Sequence, residues 1–167
     1  MIEGTVDQDS GAFIRDGIKT LAKKGVCTET EWPYKASKFA KKPSRACYRT
    51  AKKHRIVSYH RVTTVDEMRN CLAEGFPFVF GFTVYEAFES AAVARSGVLN
   101  MPGPKEKVVG GHAVMGVGYD DGARRFIIRN SWASDWGQKG YFTMPYDYLD
   151  PANNLADDFW TVRIFQD

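Results

Sequence analysis

A histidine able to act as a base stands at His112, preceded by Gly110 and Gly111 and followed by Ala113 and Val114. Asn130 follows in Asn130-Ser131-Trp132, with Trp136-Gly137 and Gly140-Tyr141 beyond it. Between the two motifs lies Asp120-Asp121-Gly122, and a short Asp-Gly turn between strand-like runs is a strong hairpin signal. Counted outward from that turn, His112 and Asn130 are nearly equidistant, so the expectation is that they sit side by side across an antiparallel ladder. An amide oxygen beside an imidazole accepts the proton of one ring nitrogen, which fixes the tautomer and aims the other nitrogen at a reacting group. Given a thiol, such an imidazole takes its proton. The thiolate–imidazolium pair lowers a cysteine pKa to ~3–4 in the best-known cases. Trp132 is placed to cover the hydrogen bond and keep water from competing for it. Gly110 and Gly111 have no side chains to block a substrate backbone beside His112.

The chain has three cysteines, Cys27, Cys47 and Cys71. They cannot all pair internally, and their wide spacing lacks the Cys-x-x-Cys pairs of zinc or redox sites. They read mainly as reduced structural thiols. Cys27 follows a predicted helix instead of starting one, where the helix dipole disfavours a thiolate. Cys47 falls among lysines and arginines that favour a thiolate, but with no visible base or oxyanion site. Cys71 lies on the side of a short helix shared with Met68 and Leu72 and reads as core. His54 and His60 have no surrounding motif and read as surface or strand residues. Trp136, Tyr141 and Phe142 read as packing.

The elements that must position these residues begin with a helix over residues 11–25, with Ala12, Phe13, Ile14, Ile18, Leu21 and Ala22 on its apolar face, Ser10 or Asp9 as cap and Gly25 as stop. Trp32-Pro33-Tyr34 cannot continue it. A strand follows with Ile56, Val57, Tyr59 and Val62. Residues 64–75 give a short helix capped by Thr63 or Thr64, and residues 76–84 a nearly continuous apolar strand. Residues 86–94 form a helical patch, and residues 101–104 a loop. Further strands are expected at 108–119, 126–132, 140–144 and 159–165. The fold class is therefore α+β, a helix followed by a mostly antiparallel sheet. The expected boundary near residue 53 divides the chain into 1–53, a helical part with a basic loop, and 54–167, an antiparallel β domain carrying the histidine and asparagine.

The length of 167 residues, 44% hydrophobic and 26% charged, suffices for a compact core without metals or disulfides. The net charge is +3 but unevenly spread: residues 32–65 contain no Asp or Glu, and ten lysines and arginines fall there. With few interleaved aromatics and with Pro43, this reads as a solvated loop, not a nucleic-acid surface. Residues 1–11 are acidic and polar where a secretory signal is basic and then apolar, and no apolar run approaches a membrane span. The expectation is no membrane and no nucleic-acid partner, with the compartment open between cytoplasm and export from a longer precursor.

The segments GGHAVMGVGYDD, NSWASDWGQKGYF and TEWPY resemble the papain family of cysteine peptidases, and Asp9-Ser10-Gly11 is similar to that family's substrate-groove glycine turn. Two glycines before the histidine, without paired cysteines, look like its bacterial branch. The resemblance implies a papain-like fold, here part of the helical domain plus most of the β domain. It implies His112 as base, Asn130 as its orienting group and Trp132 as shield. It also implies Gly11 as a backbone partner of the substrate, with Ala12 and Phe13 near the pocket for the residue before the cleaved bond, and no cofactor. One departure matters most. The family places its cysteine in a Cys-Gly-Ser-Cys-Trp-like context roughly 130–150 residues before the histidine, and counting back that far from His112 passes Met1. The expectation is a C-terminal portion without its nucleophile, inactive alone, acting on peptide or protein substrates when joined by an N-terminal segment or a second copy of the chain. A peptide-binding module that has lost the nucleophile, or an acyltransferase with the same chemistry, are the alternatives.

Overall fold

The computed structural model describes residues 11–166. The described residues divide into two compact units, 11–60 with 162–166, and 61–161.

In the first unit, helix α1 (Ile14–Lys24) buries Ile18 and leaves Arg15 exposed. Asp9 and Ser10, the expected caps, lie outside the described residues. The cap position is Phe13, in extended backbone with no side-chain cap bond, so the helix starts three residues later than the sequence suggests. Gly25 ends it as expected, at φ 78° with its N–H on the Leu21 carbonyl. The basic segment is not simply a loop. It holds a 3-10 turn at Ala36–Lys38 and a helix, α2 (Arg45–Ala51), capped by Ser44, whose Oγ accepts the Cys47 N–H at 3.3 Å. Charged residues mask this helix in the sequence; its buried positions are only Cys47 and Ala51, one turn apart. Strand β1 (Arg55–Arg61) buries Ile56 and exposes Val57, and its His60 is exposed, with Nε2 3.1 Å from Ser58 Oγ.

The second unit is built on β2 (Phe78–Tyr85), β3 (Val108–Asp120), β4 (Arg125–Arg129), β5 (Tyr141–Pro145) and the first part of β6 (Ala156–Gln166), in the order β6-β2-β3-β4-β5. The pairings of β2 with β3, β2 with β6, β3 with β4 and β4 with β5 are antiparallel. In β2 every second residue is buried: Phe78, Phe80, Phe82 and Val84 point into the core, alternating with half-buried Val79, Gly81, Thr83 and Tyr85. The run that reads as continuously apolar is thus a strand with one dry face. With Phe88, Phe126, Phe142, Tyr148 and Phe159 these side chains belong to one hydrophobic core, each buried phenylalanine contributing about 1.5–3 kcal/mol of apolar transfer. Gly116, opposite Phe78 in the ladder, is fixed by close approach, because a Cβ there would lie 2.5 Å from the Phe78 ring.

Helix α3 (Val65–Ala73) has Thr64 as cap, its hydroxyl accepting the Glu67 N–H at 3.1 Å, while the Glu67 carboxylate accepts the Thr63 N–H at 2.7 Å. This is a capping box shifted by one residue at the return bond. Met68 and Cys71 are its buried residues, and Cys71 Sγ donates to the Phe76 carbonyl at 3.1 Å. The helical patch after β2 resolves into a 3-10 turn at Glu86–Glu89 and α4 (Ala91–Ser96). A one-turn helix, α5 (Tyr146–Leu149), follows β5. None of the described helices is long and apolar enough to cross a membrane.

Candidate active site

His112 is on β3 opposite Phe82 of β2, and Asn130 is the first residue after β4. The two do not pair across the β3–β4 ladder as the hairpin count implies. That ladder runs from Asp120↔Arg125 to Met115↔Arg129, with a register shift between Gly116 and Gly118, and strand β4 stops short of residues 130–132. The turn is also longer than a two-residue Asp-Gly turn: residues 121–124 form it, and the left-handed position is taken by Arg124 (φ 52°) instead of Gly122. Leaving the strand lets Asn130 turn back toward β3. Its N–H donates to the Gly140 carbonyl at 3.0 Å, and Gly140 takes φ 85° to present it.

The result is a side-chain pair, His112 Nε2 to Asn130 Oδ1 at 2.9 Å. The same Oδ1 accepts the Ser131 N–H at 2.8 Å. Two donors on one atom identify it as the amide oxygen, so Nε2 carries the proton and a neutral imidazole holds its lone pair on Nδ1. No other side-chain hydrogen bond engages the His112 imidazole among the described residues. Asn130 is 7% exposed, and its Nδ2 is buried without a hydrogen-bond partner among them.

Aromatic rings enclose the imidazole. Trp132 lies over it at 5.1 Å between centroids and 31° between planes; Phe82 meets it edge-on at 6.0 Å, and Phe88 lies at 6.0 Å. Trp136 in turn stands edge-on to Trp132 at 5.2 Å. Phe82 and Phe88 do not stand out in the sequence as site residues. Their only signal is alternation in β2 for the first and nothing beyond apolarity for the second. Trp132 keeps 37% of its surface exposed, and Val108, Val109, Gly110 and Gly111, leading up to His112, are exposed too. A Cβ on Gly110 would meet nothing within 4 Å, and one on Gly111 only the Phe82 carbonyl oxygen at 3.9 Å. The protein's own packing therefore does not require glycine at either position.

Of the remaining residues singled out in the sequence, Gly11, Ala12, Phe13, Cys27 and Cys47 lie in the first unit and Cys71 in the second. Gly11, at φ 74°, Ala12 and Phe13 are exposed, Phe13 by 73%. Each thiol has a local partner. Cys71 donates to Phe76, Cys47 Sγ lies 3.2 Å from Ser44 Oγ, and Cys27 adjoins Cys47. Burial first, then the Cys47 thiol, pushes the Cys27 pKa up, the opposite of an activated nucleophile.

Asn130 is thus buried and bonded to His112 beneath Trp132, and comparison with known proteins shows the family. The profile of the papain family cysteine proteases matches residues 7–154. The chain belongs to that family. It is 46% identical over 172 residues to an uncharacterised peptidase C1-like protein of Acanthamoeba polyphaga mimivirus, covering 98% of this chain and 55% of the relative. Among solved structures it is similar to xylellain, a cysteine protease from Xylella fastidiosa, with TM-score 0.90 and 45% identity over 97% of this chain and 65% of that one. The bromelain protease from Ananas comosus shares the fold at TM-score 0.63 and 24% identity, over 93% of this chain and 74% of that one. The chain thus spans between about half and three-quarters of the length of these relatives. Its fold is papain-like and α+β.

Proposed function

We propose that this chain supplies the base half of a peptidase that cleaves peptide bonds through a covalent thioester, and that the nucleophilic cysteine comes from a segment outside these 167 residues. The observation that carries the reading is the His112–Asn130 bond, because it leaves Nδ1 with the lone pair and commits Nε2. Nδ1 then takes the proton of the incoming thiol, holds it while the thiolate attacks the carbonyl carbon, and passes it to the leaving amine nitrogen; water resolves the acyl-enzyme. Trp132, Phe82 and Phe88 lower the local dielectric, which strengthens the ion pair formed in the first step. Gly110 and Gly111 border the substrate backbone, and Gly11, Ala12 and Phe13 contribute on the helical side. Two further features support a second segment at this place. Asn130 Nδ2 is a buried donor without an acceptor among the described residues, which is costly to leave unmet. Trp132, Val108 and Val109 expose apolar surface beside the site.

The test is hydrolysis of a fluorogenic peptide by the purified chain alone and after mixing with a segment bearing a Cys-Gly-Ser-Cys-Trp-like sequence. Cleavage only in the mixture, abolished by His112→Ala, is the expected outcome. Turnover by the chain alone sinks the reading.

A further inference from the structure

Outside the site, the fold brings together two thiols far apart in sequence. Past Gly25 the chain is pressed onto the C-terminal end of α2: a Cβ on Gly25 would lie 1.8 Å from the Ala51 carbonyl oxygen, and Val26 N–H donates to the His54 carbonyl at 3.1 Å. Beyond Cys27 a turn closes, with Glu31 and Trp32 both donating to the Thr28 carbonyl. That turn is tied back to the same helix, since Thr50 Oγ1 donates to Glu31 Oε1 at 2.7 Å and Cys47 Sγ lies 3.8 Å from the Glu31 carbonyl. Cys27 is therefore anchored to α2 on both sides, level with Cys47. Cys47 is fully buried and Cys27 only partly.

We infer that Cys27 and Cys47 form an oxidation site, a dithiol that closes to an intramolecular disulfide in exchange with a small disulfide, stapling the Thr28–Trp32 turn to α2. Cys27, the more accessible thiol, attacks the small disulfide as its thiolate, forming a mixed disulfide and releasing one small thiol. Cys47 then attacks the Cys27 sulfur and expels the second. Two cysteine protons end on the two released thiols, and the small disulfide is the species reduced. The Cys47 thiol is close enough to Cys27 to help raise its pKa in the reduced form. Because burial and Cys47 hold the Cys27 thiol above the ordinary cysteine value, the first step speeds up as pH rises through the weakly alkaline range. Cys71, buried and bonded to Phe76, belongs to the other unit and stays reduced.

The experiment equilibrates the full chain with oxidised and reduced glutathione, then denatures it, alkylates it and weighs it. Closure makes the protein about 2 Da lighter before alkylation, leaves only Cys71 alkylated, and gives a Cys27–Cys47 linked peptide on digestion. The oxidised protein melts roughly 5–10 °C higher than the reduced one. Cys27→Ser and Cys47→Ser lose both effects, while Cys71→Ser keeps them. Three thiols still open to alkylation, glutathione adducts that accumulate without closing, or a bridge that includes Cys71 would each overturn the inference.

Discussion

At Asn130 a single oxygen receives two protons, from His112 Nε2 and from the Ser131 backbone, and this decides which imidazole nitrogen is left to act. In NMR of the isolated chain the His112 Nε2 proton is expected as a hydrogen-bonded, slowly exchanging resonance that disappears in Asn130→Ala. An unchanged resonance in the variant means that something else holds the ring. In the reconstituted peptidase, His112→Ala lowers kcat/KM by roughly 10²–10⁴, the usual share of a general acid–base group. Asn130→Ala lowers it less, with the loss in kcat and not in KM. The residue types and order of this pair are legible in the sequence, and so is their proximity. The route to it is not: the register shift near Val117 and the end of β4 at Arg129 depend on the pairing of whole strands, which equal counting from a turn does not capture. The Phe82 and Phe88 walls escape notice because a phenylalanine on a core face and one against the His112 ring look alike in sequence.

Two glycines on β3 separate packing from function at the scale of the element. Gly116→Ala drives a methyl group into the Phe78 ring, so the thermal midpoint falls by about 3–10 °C, as overpacking costs about 1–3 kcal/mol. Gly110→Ala meets open space and leaves the midpoint within about a degree, but it raises KM if a substrate backbone passes there. Matched thermal scans and kinetics of the two variants check both statements. A second element-scale device joins α3 to the β3–β4 turn. Arg69 donates to Asp121 at 2.8 Å and Tyr146 OH donates to the same carboxylate at 2.9 Å, and Arg69 before Tyr146 holds the Asp121 pKa below its ordinary value. A carboxylate with a depressed folded pKa contributes stability that is complete above the unfolded value and fades as pH falls through the folded one. The contribution thus persists through neutral pH and is lost only in acid, below the usual carboxylate range. Arg69→Ala is expected to flatten the acid limb of a plot of thermal midpoint against pH; a parallel downward shift at all pH values means that the arginine acts by packing alone. The strands and α3 are legible because alternation and a Thr-x-x-Glu cap survive in the sequence. Helix α2 is not, since it has only two buried positions among basic residues. With α2 unseen, the approach of Cys27 to Cys47 cannot be read either.

For the whole molecule, membership of the papain family follows from the match over residues 7–154, and the papain-like fold from the likeness to xylellain. The chain covers 55% of its mimivirus relative and 65% of xylellain, and an assembled active site is the proposal that links this chain to peptidase chemistry. The measurement that tests it most directly is covalent labelling by a peptidyl epoxide thiol probe, read by intact mass and peptide mapping, on the chain alone and together with the cysteine-bearing segment. The account predicts one adduct, on the added segment's cysteine, that forms only in the mixture and is lost when His112 is replaced by alanine. A probe adduct on Cys27, Cys47 or Cys71, or labelling in the mixture that is indifferent to His112, would contradict it.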